Sequence, residues 1–161
     1  MVDIQTVSIA IASASVVAGV AYYAFQIRHQ TKVRQTDITF RLYSQVCTKE
    51  FMEAAHGFLS TEYKDYDDFV KRYGDYFSKK PVPIAFNIVG MFHEGIGVLL
   101  HRKLVDVDLI RELFVLGRVW EKMKPIVEGT RKQYNMPQYY EWFEYLYNEM
   151  KRREQRGVNS G

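Results

Sequence analysis

Residues 4–27 read IQTVSIAIASASVVAGVAYYAFQI, 24 positions without a charge, bounded by Asp3 and Arg28. At about 1.5 Å per residue a helix of that length measures about 36 Å, enough for a hydrocarbon core of roughly 30 Å. The segment holds Gln5, Thr6, Ser8, Ser13, Ser15 and Gln26 and no leucine. A buried helix of a soluble protein is the competing reading, but such helices normally show a polar stripe and are shorter. Here the polar groups are uncharged, and hydroxyls can bond back to the helix backbone. Tyr22 and Tyr23 lie near the basic end, where an interfacial aromatic belt belongs. The stretch reads as one transmembrane anchor, assigned to residues 1–27.

Orientation follows from the flanks. Arg28, Lys32, Arg34 and Arg41 come after the span and no Lys or Arg comes before it. The excess of basic residues on one side predicts an outside N-terminus and a cytoplasmic domain, in a single-pass protein of the cell membrane. A cleaved signal peptide would open on a positive region, whereas the first charge here is Asp3. Within the span Ala10, Ala14 and Ala18 recur every fourth residue, and Ser15 and Gly19 repeat that spacing beside them. In lipid, helices associate through close backbone approach, which small-residue faces permit. Ala10, Ala14, Ala18 and Gly19 are therefore the candidate packing face for a second copy or another membrane protein.

The chain has 161 residues, room for one further domain. Hydrophobic residues make up 47% and charged residues 25%, which excludes a disordered chain. All 22 Lys and Arg and 18 of the 19 acids follow residue 27, too even a balance for a nucleic-acid partner. It suits a domain beside an anionic leaflet, so the lipid bilayer is the expected partner. Cys47 is the only cysteine, which forbids an intrachain disulfide and reads as a packing residue.

Nothing alternates at period two for long enough to make a strand, so the fold class is all-α. No Pro or Gly interrupts residues 28–47, and Ile38, Leu42 and Val46 recur at helical spacing, predicting that the anchor continues as a stalk. A bundle of about five helices, residues 48–156, is expected beyond it, then a tail at 157–161. Thr48 caps the first of these helices and Asp65 the next, which carries Phe69, Val70, Tyr73 and Phe77. Pro81 and Pro83 precede an apolar helix from about Ile84 to His101, with Ala85, Ile88, Val89, Phe92, Ile96 and Leu99 as its expected buried face. Gly90, Gly95 and Gly97 predict another helix packed close against it. Asp106 opens the longest helix of the soluble domain, Pro125 should bend it or end its regular part, and Pro137 starts the last one.

Signals for chemistry are sparse. Glu53 and His56 form a single Glu-x-x-His, where di-iron bundles need two copies plus lone glutamates; Glu94 is the only further candidate ligand. No metal or other cofactor is therefore expected. Asn87, Glu94 and His101 share one helix face at sevenfold spacing, predicting a polar seam against a neighbouring helix or an arginine partner for Glu94 such as Arg118 or Arg131. Lys151, Arg152 and Arg153 form a small basic cluster, either a solvated helix end or a contact for the membrane or a partner. There is no phosphate loop, nucleophile elbow or zinc-spaced Cys/His set.

NIVGMFHEGIGVLL, VDLI, WEKMKPIV and FEYL, with RHQTKVRQT after the span, resemble a family of prokaryotic, notably archaeal, membrane-anchored helical proteins known only as a domain of unknown function. The resemblance implies a single span, a helical cytoplasmic domain and no particular activity. The sequence is thus read as a membrane-tethered helical module that binds a partner protein or itself. The rival reading is a membrane-associated enzyme or a ligand or metal sensor using Glu94 with His93, His56 or His101.

Overall fold

A computed structural model describes residues 3–158, and among them the chain is all-α with seven helices. The first, α1 (Ile4–Val46), is one unbroken helix of 43 residues, about 64 Å long. Asp3 caps it by accepting from the Gln5 N–H. Ser8 and Ser15 donate to the carbonyls of Ile4 and Ile11, so their hydroxyls are satisfied inside an apolar surface. Thr39 is the only residue of α1 that is buried, and the apolar half buries none of itself in the protein. By length and composition α1 is able to cross a membrane. The stalk leans on the rest of the chain through Ile38, Thr39, Leu42 and Val46.

The domain comprises α2 (Lys49–Leu59), α3 (Tyr66–Tyr73), α4 (Pro81–His101), α5 (Val107–Leu113), α6 (Leu116–Tyr134) and α7 (Glu141–Val158). Helix α4 is the axis, and its most extensive contacts are with α7 and α2. It also passes the length and apolarity test for a membrane span, but 44% of its apolar window is buried in the protein, as befits a core helix. Phe58, Phe86 and Phe69 join α2, α4 and α3 edge to face or tilted, with Phe86 in turn against Tyr140. Phe143 of α7 packs on Trp120 of α6.

Several boundaries differ from the sequence reading. Helix α3 ends at Tyr73 because Gly74 takes φ 99°, so Phe77 falls outside it and stays exposed. The expected longest helix is two, α5 and α6, which makes six helices beyond α1 where about five were expected. Phe114 is extended at φ −123° and ψ 132°, which turns its ring against Tyr43 of the stalk and Phe92 of α4. Helix α6 continues through Pro125 to Tyr134. Helix α7 begins at Glu141 rather than Pro137, after Tyr140 reverses the chain at φ 55°. It runs to Val158, into the expected tail, whose residues 159–161 lie outside the described residues, as do residues 1–2 of the anchor.

Candidate functional site

Helix α4 carries two lengthwise faces with the same alternating spacing of three and four residues. One is Asn87, Gly90, Glu94, Gly97 and His101; the other is Ile84, Ile88, Met91, Gly95 and Val98.

The first face meets α7 and the turn before it. Tyr139 and Tyr140 both donate to Asn87 Oδ1, at 3.3 and 3.2 Å. Burial pushes both phenols well above their ordinary range, so they remain donors. A Cβ on Gly90 would lie 2.5 Å from the Tyr140 ring, and one on Gly97 2.0 Å from the Trp142 carbonyl oxygen. Glycine at 97 is what lets the two backbones touch. Glu94 accepts from the Phe143 N–H at 2.7 Å, so its carboxylate caps the first turn of α7 from a different helix. Burial raises its pKa and the Phe143 and Trp142 N–H groups offset part of that rise. His101 packs against Trp142 with the two rings tilted by 48° and their centroids 4.5 Å apart.

His93 lies next to this seam and is buried, with Nδ1 2.7 Å from the Val89 carbonyl and its ring stacked on Phe143. Burial lowers its pKa to about 4, so the ring is neutral at physiological pH. The expected polar seam is thus present, whereas the arginine partner is not. Arg131 donates instead to the Tyr139 carbonyl and to Glu144, at 2.8 and 2.7 Å. The physical reason is that backbone N–H groups at the start of α7 already occupy the Glu94 carboxylate.

The second face is bare. Ile84, Ile88, Met91 and Val98 are 46, 44, 62 and 37% exposed, and nothing lies within 4 Å of a Cβ at Gly95. This corrects the expected burial of Ile88 and the expected close neighbour of Gly95. Helix α4 is rotated so that Phe86, Gly90, His93, Gly97 and Leu100 face inward, because the glycines admit α7 on that side. Beside the bare face an apolar groove of about 300 Å³ runs between α2 and α4, lined by Ala54, Gly57, Val82, Ile84 and Ile88 with Glu53 at its edge.

The remaining expected positions are scattered. Glu53 is exposed and pairs with Lys49 at 3.7 Å, and His56 is exposed on the same helix. Neither is brought to Glu94, and no group of three potential metal ligands occurs among the described residues. Ala10, Ala14 and Ala18 are exposed on α1 and Gly19 has nothing near it. In the basic cluster, Arg152 pairs with Glu149, Arg153 reaches Asp108 of α5 at 3.3 Å, and Lys151 donates to the Tyr147 hydroxyl.

Residues 11–150 match the family described as a domain of unknown function, DUF4760. The chain belongs to the DUF4760 family. The match takes in both faces of α4 and stops before Lys151, Arg152 and Arg153. No curated protein and no solved structure matches the chain. The bare face of this DUF4760 domain was missed in sequence because Ile88 at helical spacing reads as core and Gly95 as a close-packing position. The one available signal was that α4 has more apolar positions than a single buried face can use.

Proposed function

We propose that this chain is a bilayer-anchored helical interaction module, with its N-terminus outside, its domain in the cytoplasm and a partner protein or second copy docked on the bare face of α4. The observation that carries the reading is that face: five positions at coiled-coil spacing, uncharged from Ile84 to Val98, on a well-packed domain. The uncharged residues 4–27 and the one-sided basic flank support the anchor and its orientation. Ala10, Ala14, Ala18 and Gly19 would let anchors pack together in the same assembly.

Two measurements test it. Protease added to right-side-out cells should spare the domain, while inverted vesicles should lose it; the reverse pattern overturns the orientation. In detergent, Ile88→Lys with Met91→Glu should abolish the complex seen by cross-linking while the helical signal stays intact. An unchanged complex removes the α4 face from the proposal.

A further inference from the structure

The turn after α4 is tied to the stalk. Gln35 donates from Nε2 to the Lys103 carbonyl at 2.9 Å. The turn itself is rigid: Lys103 sits at φ 58°, its N–H bonds to the Leu100 carbonyl, and the Leu104 N–H bonds to that of Leu99. That pair of bonds is the Schellman helix stop. Arg102 and Lys103 are exposed beside it.

On α1, the residues that lean on the domain are Gln35, Ile38, Thr39, Leu42 and Val46. Stepping back by three and seven residues from Gln35 reaches Lys32 and Arg28, on the same side of the helix. These two cations therefore lie along α1 on the N-terminal side of Gln35, on the helix side that meets the 101–104 turn. Arg34 is adjacent and exposed. No acid occurs between Ile4 and Thr36, and among the described residues Arg28, Lys32, Arg34, Arg102 and Lys103 form no ion pair. Elsewhere Arg41, Lys49, Arg72, Arg111, Lys124, Arg131, Arg152 and Arg153 are paired to acids, so what sets the collar residues apart is their clustering beside an acid-free stretch rather than exposure alone.

Height decides what this group can meet. From Ile27, Arg28 is about 1.5 Å along the axis, Lys32 about 7.5 Å and Gln35, level with Lys103, about 12 Å. The headgroup layer on each side of a bilayer is about 5–8 Å thick, and long cationic side chains reach back toward it. We infer that Arg28, Lys32, Arg102 and Lys103, with Arg34 beside them, form a collar that binds anionic phospholipid headgroups. The inference rests on reading residues 4–27 as a span. It moves the lipid contact from the 151–153 cluster, whose arginines are internally paired, to a site the fold assembles from two distant segments.

The full-length protein in mild detergent is titrated with dioctanoyl phosphatidylglycerol, with phosphatidylcholine of the same chains and with inorganic phosphate, following thermophoresis. Phosphatidylglycerol should bind more tightly than phosphatidylcholine, and added salt should narrow the gap. Arg102→Gln with Lys103→Gln should weaken phosphatidylglycerol about 25-fold, at about fivefold per basic residue, and leave phosphatidylcholine unchanged. Arg28→Gln with Lys32→Gln, on the exposed stalk, should do the same, while Lys151→Gln with Arg152→Gln should not. Equal binding of the two lipids, or insensitivity to both collar pairs, overturns the collar. Inorganic phosphate binding as tightly as phosphatidylglycerol also overturns it, since the site would then be read by a free anion. Carbonate extraction separates the two levels: a released chain fails the span, whereas a retained chain indifferent to phosphatidylglycerol fails the collar alone.

Discussion

The two faces of α4 have the same periodicity, the same helix and two glycines on one against one on the other, yet they meet opposite surroundings. Gly97 lies under the Trp142 carbonyl while Gly95, two residues away, faces open space. Glu94 is turned onto the start of α7 while Met91, one turn earlier, is 62% exposed. Periodicity therefore places residues on a face, and only the neighbour decides what the face is for.

The contrast breaks most sharply at the glycines. Gly97→Ala should destabilise the domain by about 3 kcal/mol, because the obstruction is backbone and cannot rotate away. Gly95→Ala should stabilise it by up to about 1 kcal/mol through helix propensity. Denaturant unfolding followed by circular dichroism measures both, and similar effects at the two sites would erase the distinction.

The next effect is pH dependence from His93. Between pH 6.5 and about 4 the unfolded chain binds the proton and the folded ring does not. Stability is thus complete above 6.5 and falls by up to about 3 kcal/mol as pH drops to 4. His93→Phe should flatten that slope in a series of urea midpoints. Glu94 opposes it: its raised pKa makes the folded chain hold a proton longer, so its contribution declines as pH rises from 4.5 toward the folded value.

Glu94→Ala should cost about 2 kcal/mol, since it leaves the Phe143 N–H unmatched in a half-buried place. Glu94→Gln keeps an acceptor and should cost under about 1 kcal/mol while removing the part of the pH dependence that Glu94 contributes. A larger loss in the amide variant would mean the charge itself is needed at the α7 terminus. Smallest is the bare face, where Ile88→Ala or Val98→Ala should change stability by less than about 1 kcal/mol by the same measurement, because no neighbour closes over either residue.

Much of the fold is legible from local chemistry. Thr48, Asp65 and Asp106 cap α2, α3 and α5 as their side chains allow, and the prolines at 81 and 83 open α4. The division of α5 from α6 was not legible, because Phe114-Val115 carries no breaker and extends only to place its ring between the stalk and α4. The polar seam was legible from the sevenfold spacing of Asn87, Glu94 and His101. Its partners were not, because a carboxylate reads in sequence as a match for arginine, whereas a helix start offers unpaired N–H groups that no residue letter records.

The sequence by itself determined the long uncharged stretch of α1, the all-α class and the helical spacing of every apolar face, because these follow from residue chemistry within a few turns. Tertiary structure alone decided which face of α4 is buried, which acid caps α7, and that Arg102 and Lys103 lie beside the stalk residue Gln35. Those depend on contacts between segments tens of residues apart. Close packing at Gly90 and Gly97 and one side-chain bond from Gln35 select among arrangements that local preference leaves equal.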